Sequence, residues 1–452
     1  MKLGRVHLFV AFAFTVMADP VSSVAYAIEA ALRALDGDPA SLVAAMGVVV
    51  GIIVVISLTY HQLIGRFPEG GGGPEGVAAA FGEGWTFLPL GALLVDFTLT
   101  VAVSCSAGAA SAIAYLPSLA GARLPIALAL AAVVAVGVLI GHRGRVGFAL
   151  ATQAFLLTAA VVIVAGVFAE PVSASGRVIA AGESRPPLLA DASFAALLLA
   201  FPLGMALATG VEAPSNAIAQ LPQLGDRGRR LFGRTTLWLM VAIVGGLTLC
   251  FAILAVRLGI DLPDGDSTLL AEVARQAVGD GLVFGAFQGF SALLLLAAAA
   301  SSYLAGSGVL KALSGVGLDG AAGLLPERLH RENRFLVAHW GVLVVFAVAV
   351  AMIVAARGRE QDLVQFYAVS VFASFLAATL ACARLSLREA RRTVAATNLV
   401  GAALVALVLA LNLTRLDSAI ALLASLAIAL YLWRTWVARG RPGGVAQAHS
   451  HS

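Results

Sequence analysis

Twelve apolar runs, most of them long enough to cross a bilayer, constrain this chain more than any other feature of its sequence. A helix needs about 20 apolar residues to span the hydrocarbon core. No water is available there to bond exposed peptide groups, so only helices and closed barrels can cross. The runs lie at residues 6–35, 41–64, 86–116, 124–141, 146–168, 192–220, 235–258, 281–313, 335–356, 362–383, 393–413 and 418–437. Charged residues make up 12% of the 452, about half the share in soluble domains, and mean hydropathy is +0.95. The fold class expected is therefore an all-α integral membrane protein of about twelve transmembrane helices. The first run is too long for a signal-peptide core and holds an Asp-Pro pair, so no cleavable leader is read.

Charge placement gives an orientation. With a cytoplasmic N-terminus, 20 of the 29 Lys and Arg residues fall inside and 9 outside, as the positive-inside rule requires. The inner loops hold His142-Arg143-Gly144-Arg145, Arg227, Arg229, Arg230, Arg234, Lys311, Arg328, Arg331, Arg334, Arg384, Arg388, Arg391 and Arg392. The outer loops hold Asp261, Asp264, Asp266, Glu272 and Asp280. Both termini are then cytoplasmic, and an inner (plasma) membrane location follows. The polar stretches 169–191 and 259–280 read as external linkers too small to be domains. The net charge of +4 is scattered through loops, which excludes a nucleic-acid face. Cys105, Cys250 and Cys382 sit in apolar segments without paired spacing and read as packing residues. His449 and His451 read as part of a disordered tail, with no metal site and no cofactor expected.

Two runs carry the wrong chemistry for simple anchors. The first reads Met17-Ala18-Asp19-Pro20-Val21-Ser22-Ser23-Val24-Ala25-Tyr26. A carboxylate at bilayer depth costs roughly 2.5–3.5 kcal/mol on insertion scales, and proline removes a backbone donor. Alone, Asp19 fits a transport site and an interhelical ion pair equally well. The sixth run repeats the ingredients as Thr209-Gly210-Val211-Glu212-Ala213-Pro214-Ser215-Asn216. Five helices separate the two, so the halves they belong to insert with opposite orientation. Matching interruptions in two such halves point to a binding site near the midplane. On the third run Asp96, Thr100 and Ser104 recur every four residues, which puts them within about 80° of one helix face. Lone hydroxyls usually bond back to carbonyls one turn earlier, but the acid on the same face argues for a site.

These motifs together resemble the amino acid–polyamine–organocation superfamily, and within it the KimA-type proton-coupled potassium importers. The resemblance runs over about residues 10–390 and adds two stretches, Tyr60 to Gly73 with its four glycines and Gln365-Phe366-Tyr367-Ala368-Val369. It implies a five-plus-five inverted repeat (the LeuT-like fold), with repeats at about 6–168 and 192–385 and helices 1 and 6 broken. Two extra C-terminal helices and a short tail would occupy 386–452. The resemblance further implies potassium ligands at Tyr26, Asp96, Thr100, Ser104 and Thr209. Asp19, Asp96 and Glu212 become ion-facing acids, with Asp19 and Asp96 the proton-coupling candidates. Glu29, one turn beyond Tyr26, and Tyr367 are the gate candidates. Departures are Ala27 where glycine is common, Pro20 where alanine is usual, and no counterpart of the soluble C-terminal domain. A homodimer is left open.

The cargo expected is a potassium ion or other small cation, with protons as coupling ion and lipid as surroundings. A zwitterionic substrate needs free amides at an unwound, glycine-rich first helix to hold its carboxylate. Ala18-Asp19-Pro20-Val21-Ser22 has no glycine, one amide fewer and a resident negative charge. The alternative is a proton-coupled amino acid or polyamine permease. No nucleophile–base pair or cofactor motif supports an enzyme, and no output domain supports a sensor. His61 and His339 read as interfacial anchors, and Gln288, Ser301, Ser302 and Tyr303 as pathway or interface residues with equal weight.

Overall fold

The computed structural model describes residues 2–141, 145–170, 194–263, 265–315 and 323–445. Every element among them is helical. The first run forms three consecutive pieces, α1 (Lys2–Val16), α2 (Ala18–Ser22) and α3 (Val24–Ala34). It is followed by α4 (Leu42–Arg66), a short α5 (Gly72–Phe81), α6 (Phe87–Tyr115), α7 (Arg123–Leu139) and α8 (Arg145–Phe168). The sixth run is again in pieces, α9 (Phe194–Gly204), a tight turn at Met205–Ala208 and α10 (Ala213–Ala217). Then come α11 (Asp226–Leu258), α12 (Leu269–Val278), α13 (Leu282–Ser314), α14 (His339–Ala355) and α15 (Glu360–Arg388). The chain closes with α16 (Arg392–Asn412) and α17 (Leu416–Ala438).

Each of the twelve apolar runs is thus a helix or a helix in pieces, and nine unbroken helices among the described residues are long and apolar enough to cross a membrane. Their outward faces are apolar, as lipid contact demands: Val133, Leu157 and Phe168 stand exposed on α7 and α8. Helix contacts inside the bundle cannot draw on a hydrophobic gain over lipid, so small residues that permit close approach matter more. A methyl on Gly91 of α6 would lie 2.5 Å from the Ser425 carbonyl of α17, so only glycine allows that contact. Polar clasps add to it. Asn398 of α16 donates to Gln62 Oε1 of α4 at 2.8 Å and accepts from Thr59 at 3.0 Å.

Two connections differ from the sequence reading. The stretch 259–280 is more than a linker, because α12 forms within it. Thr268 caps it by accepting the Ala271 N–H at 3.2 Å, as an N-cap threonine does. Its apolar face of Leu269, Leu270, Val273 and Ala274 is buried. At ten residues α12 is too short to be read as a span. Likewise the glycine-rich stretch after α4 ends in a helix, α5, which packs against α15. The His142–Gly144 loop, Asp264, residues 171–193 and the tail from 446, with its histidines, lie outside the described residues.

Candidate functional site

The two interrupted runs meet at their breaks. In the sixth, Thr209 is extended (φ −61°, ψ 141°) and Gly210 adopts a φ of +78°. The first run is interrupted more gently. Met17 and Ser23, which separate its pieces, both keep right-handed helical angles. The difference follows from composition: a glycine permits the left-handed turn in one, and its absence from 17–23 keeps the other a segmented helix. Gly210 lies so near Pro20 that a methyl on it would stand 2.8 Å from Pro20 Cδ.

The same local device occurs in both. Ser22 donates its hydroxyl to the Asp19 carbonyl at 2.7 Å, and Ser215 donates to the Glu212 carbonyl at 2.6 Å. In each case a serine three residues after the acid returns its hydroxyl to the acid's own carbonyl; that of Glu212 also accepts the Ser215 and Asn216 N–H groups at 3.0 and 3.2 Å. Ser23 adds a bond to the Pro20 carbonyl at 2.6 Å and one to Leu207 O at 3.5 Å, which ties the two breaks together.

Three carboxylates converge there. Asp96 lies within Coulombic reach of Glu212 and Asp19, and Glu212 within reach of Asp19. Asp96 and Glu212 are buried and Asp19 is partly buried. One oxygen of each acid (Asp19 Oδ1, Asp96 Oδ1 and Glu212 Oε2) is sequestered with no hydrogen-bond partner, and so is Ser104 Oγ. Among the described residues no lysine or arginine forms an ion pair with any of the three acids. Buried charge without a partner is costly, so this arrangement calls for a cation or protons.

Asp19, Gly210 and Glu212 line a cavity of about 510 Å³ that extends to Lys311, Glu332 and the exposed Leu336. Of the other sequence-predicted residues, Tyr26, Asp96, Thr100, Ser104 and Thr209 are buried and off the cavity wall. Thr209 donates its hydroxyl to Ala206 O at 2.8 Å, which leaves its oxygen lone pairs available. Tyr367 lies in α15, and its side chain is outside the described residues. Glu29 is ion-paired to Arg33 at 2.8 Å, away from the three acids.

Two further residues of the site, Tyr60 and Asn216, stood in the sequence motifs without a role assigned to them. The Tyr60 hydroxyl and Asn216 Oδ1 are buried without partners. A methyl on Gly73 would lie 3.5 Å from the former, and one on Gly72 would overlap the latter at 2.2 Å. The glycines after α4 therefore exist to let that loop reach α10. Among the secondary candidates, His61 Nδ1 accepts from Trp238 at 3.1 Å, an anchor between α4 and α11. Tyr303 donates to Ala131 O at 3.3 Å, while Ser301 and Ser302 line the cavity.

A multi-pass helical bundle with two abutting broken segments and buried acids at the breaks defines a membrane transporter. Residues 8–438 match the family model described as amino acid permease, and the chain belongs to that family. It is also similar to the "Potassium transporter KimA" of Bacillus subtilis (strain 168), with 29% identity over 370 residues. That alignment takes in 79% of this chain and 58% of the relative, so the chain spans under two thirds of that protein's length.

Proposed function

We propose that this transporter imports a monovalent cation, potassium, coupled to protons and driven by alternating access. The observation that carries the reading is the set of orphaned oxygens on Asp19, Asp96, Ser104 and Glu212, sequestered with no cationic side chain paired to the acids. Oxygen donors of this kind suit a hard alkali cation. The relative whose printed name is a potassium transporter supports the same cargo. Tyr26, Asp96, Thr100, Ser104 and Thr209 serve as ligands, and Asp19 and Asp96 hold the coupling proton.

Carboxylates this close titrate as a group rather than singly. On the outward-facing side one proton and one cation enter and reduce the net charge, and the bundle rocks. On the inward-facing side the proton leaves to the cytoplasm and the cation follows through the cavity that ends at Lys311 and Glu332. The repeats at 6–168 and 192–385 rock against each other, and 386–452 stays outside the cycle. Both termini are cytoplasmic in this reading, in an inner membrane.

The second reading is an amino acid or polyamine permease. The family description favours it, and a cavity of about 510 Å³ falls in the range that holds small organic ligands. Expression in a bacterium lacking its potassium importers separates the two. Growth rescue at low external potassium supports the cation reading. Failure to rescue, with pH-dependent uptake of labelled amino acids or polyamines, moves the assignment to the permease.

A further inference from the structure

At the end of the bundle away from Lys311 and Glu332, a second charged cluster links four elements. Arg123 opens α7 and is largely buried, with a side chain 12% exposed. Its Nη1 donates to Glu360 Oε2 at 3.3 Å, on the first residue of α15. Its Nη2 donates to the Gly265 carbonyl and stands 3.8 Å from Asp266 Oδ1, both in the segment leading into α12. Glu29 of α3 completes the set from the other side. Glu29 Oε1 accepts two bonds from Arg33, at 2.9 and 2.8 Å, and Glu29 Oε2 accepts the Leu269 N–H of α12 at 2.9 Å. Arg33 reaches on to Pro263 O at 3.3 Å.

We infer that Arg123 is the pivot of a latch that holds the outer side of the pathway shut, with the segment from Gly265 to Val278 as its lid. This rests on the transport reading and on its orientation. The two buried acids, Glu29 and Glu360, are each paired with an arginine, while the third acid, Asp266, is 67% exposed, so the buried negative charge is compensated within the cluster. That distinguishes it from the three acids at the breaks, which lack a partner. A balanced buried cluster needs no ion; it fixes geometry, and removing one member strands another.

The lid is held at Gly265, Asp266 and Leu269, and Pro263 just before it is held as well; each of those contacts comes from Arg33, Arg123 or Glu29. Gln361, the neighbour of Glu360, donates to the Tyr26 carbonyl at 3.4 Å, which places the latch directly over the site-bearing helix. Lifting the lid requires Arg123 to release α15 and the lid together. Arg123 and Glu360 therefore act as positioning residues for the transport cycle.

The test reads accessibility rather than uptake. In a full-length protein with its three cysteines replaced, Gln361→Cys serves as reporter beneath the latch, labelled by a membrane-impermeant maleimide on intact cells. Slow labelling is expected, with a rise of roughly tenfold or more in Arg123→Gln, because loss of one partner of a buried charge pair shifts a closed equilibrium strongly. Arg123→Lys should fall between, since a lysine cannot hold both acceptors at once. Should Arg123→Gln fail to fold, Glu360→Gln preserves shape, removes the charge that holds Arg123 to α15 and is expected to raise labelling as well. An unchanged rate in a folded Arg123→Gln protein overturns the latch, and so does labelling reachable only from the cytoplasmic face. If no cation is transported but labelling responds as expected, the latch stands and the cargo assignment fails.

Discussion

Gly210→Ala probes the meeting of the two broken segments. A side chain at a φ of +78° costs about 1–2 kcal/mol in backbone strain. The added methyl would also lie 2.8 Å from Pro20 Cδ and 3.2 Å from Pro20 N, atoms fixed in the other segment that cannot swing aside. Overpacking of that kind costs roughly 1–3 kcal/mol. The total, about 2–5 kcal/mol, is small enough against a typical stability of roughly 5–15 kcal/mol for the chain to fold. It acts where Asp19 and Glu212 are positioned, and a displacement of about 1 Å in a positioned site costs on the order of a hundredfold in rate. The measurements are melting temperature in detergent and uptake per folded molecule. A lowered melting temperature and a loss of uptake of about tenfold or more are expected. Gly246→Ala is the control: nothing lies within 4 Å of its methyl, and alanine inside α11 should be neutral or stabilising. Parental uptake and melting in Gly210→Ala would refute the reasoning.

Further outcomes follow from the same geometry. Asp96→Asn removes a charge that no side chain balances, so it is expected to abolish uptake while membrane levels hold; unimpaired, pH-dependent uptake would exclude Asp96 from coupling. Glu75 of α5 lies outside the spans, and burial together with the nearby Glu69 pushes its carboxyl up from 4.5 to about 7. The folded state then binds more protons than the unfolded one between those values, so stability falls as pH rises through that window. Glu75→Gln is expected to raise the melting temperature at about pH 8 and leave it unchanged below about pH 4.5; an equal shift at both would contradict this. Glu389, paired to Arg66 at 3.0 Å, is held below the usual glutamate value of 4.5 by that guanidinium. Its contribution is present above about pH 4.5 and is lost as pH falls through the lower folded value. With its side chain 42% exposed, Glu389→Gln should cost less than about 1 kcal/mol, and still less in high salt. A larger, salt-insensitive loss on thermal melting would refute the assignment.

The parts legible in the sequence were those written as pattern. Apolar length gave the spans, and the acid–proline–serine sequences at Asp19 and Glu212 marked both interruptions before their carbonyl caps at Ser22 and Ser215 were visible. The spacing of Asp96, Thr100 and Ser104 put them on one buried face of α6. Features that depend on distant contacts were not legible. Arg123 and Glu360 look like ordinary charges at helix ends, and only the fold brings them together with the segment that leads into α12, which Glu29 also holds. Tyr60 and Asn216 stood in motifs without a role, and the clue to them was the run of glycines: Gly73 lies against Tyr60 and Gly72 against Asn216, which shows only once α10 is in place. The α12 helix was passed over because its ten residues are too few to cross a bilayer, although only Glu272 among them is acidic.

The central claim is that Asp19, Asp96 and Glu212 form a site whose missing positive charge is the transported cation. Uptake of radioactive rubidium, as a potassium substitute, into proteoliposomes under an imposed proton gradient tests it most directly. Saturable uptake that potassium competes away, that collapses with the gradient and that is lost in Asp19→Asn is the expected result. Absence of rubidium uptake by the parent protein, or full uptake by Asp19→Asn, would contradict it.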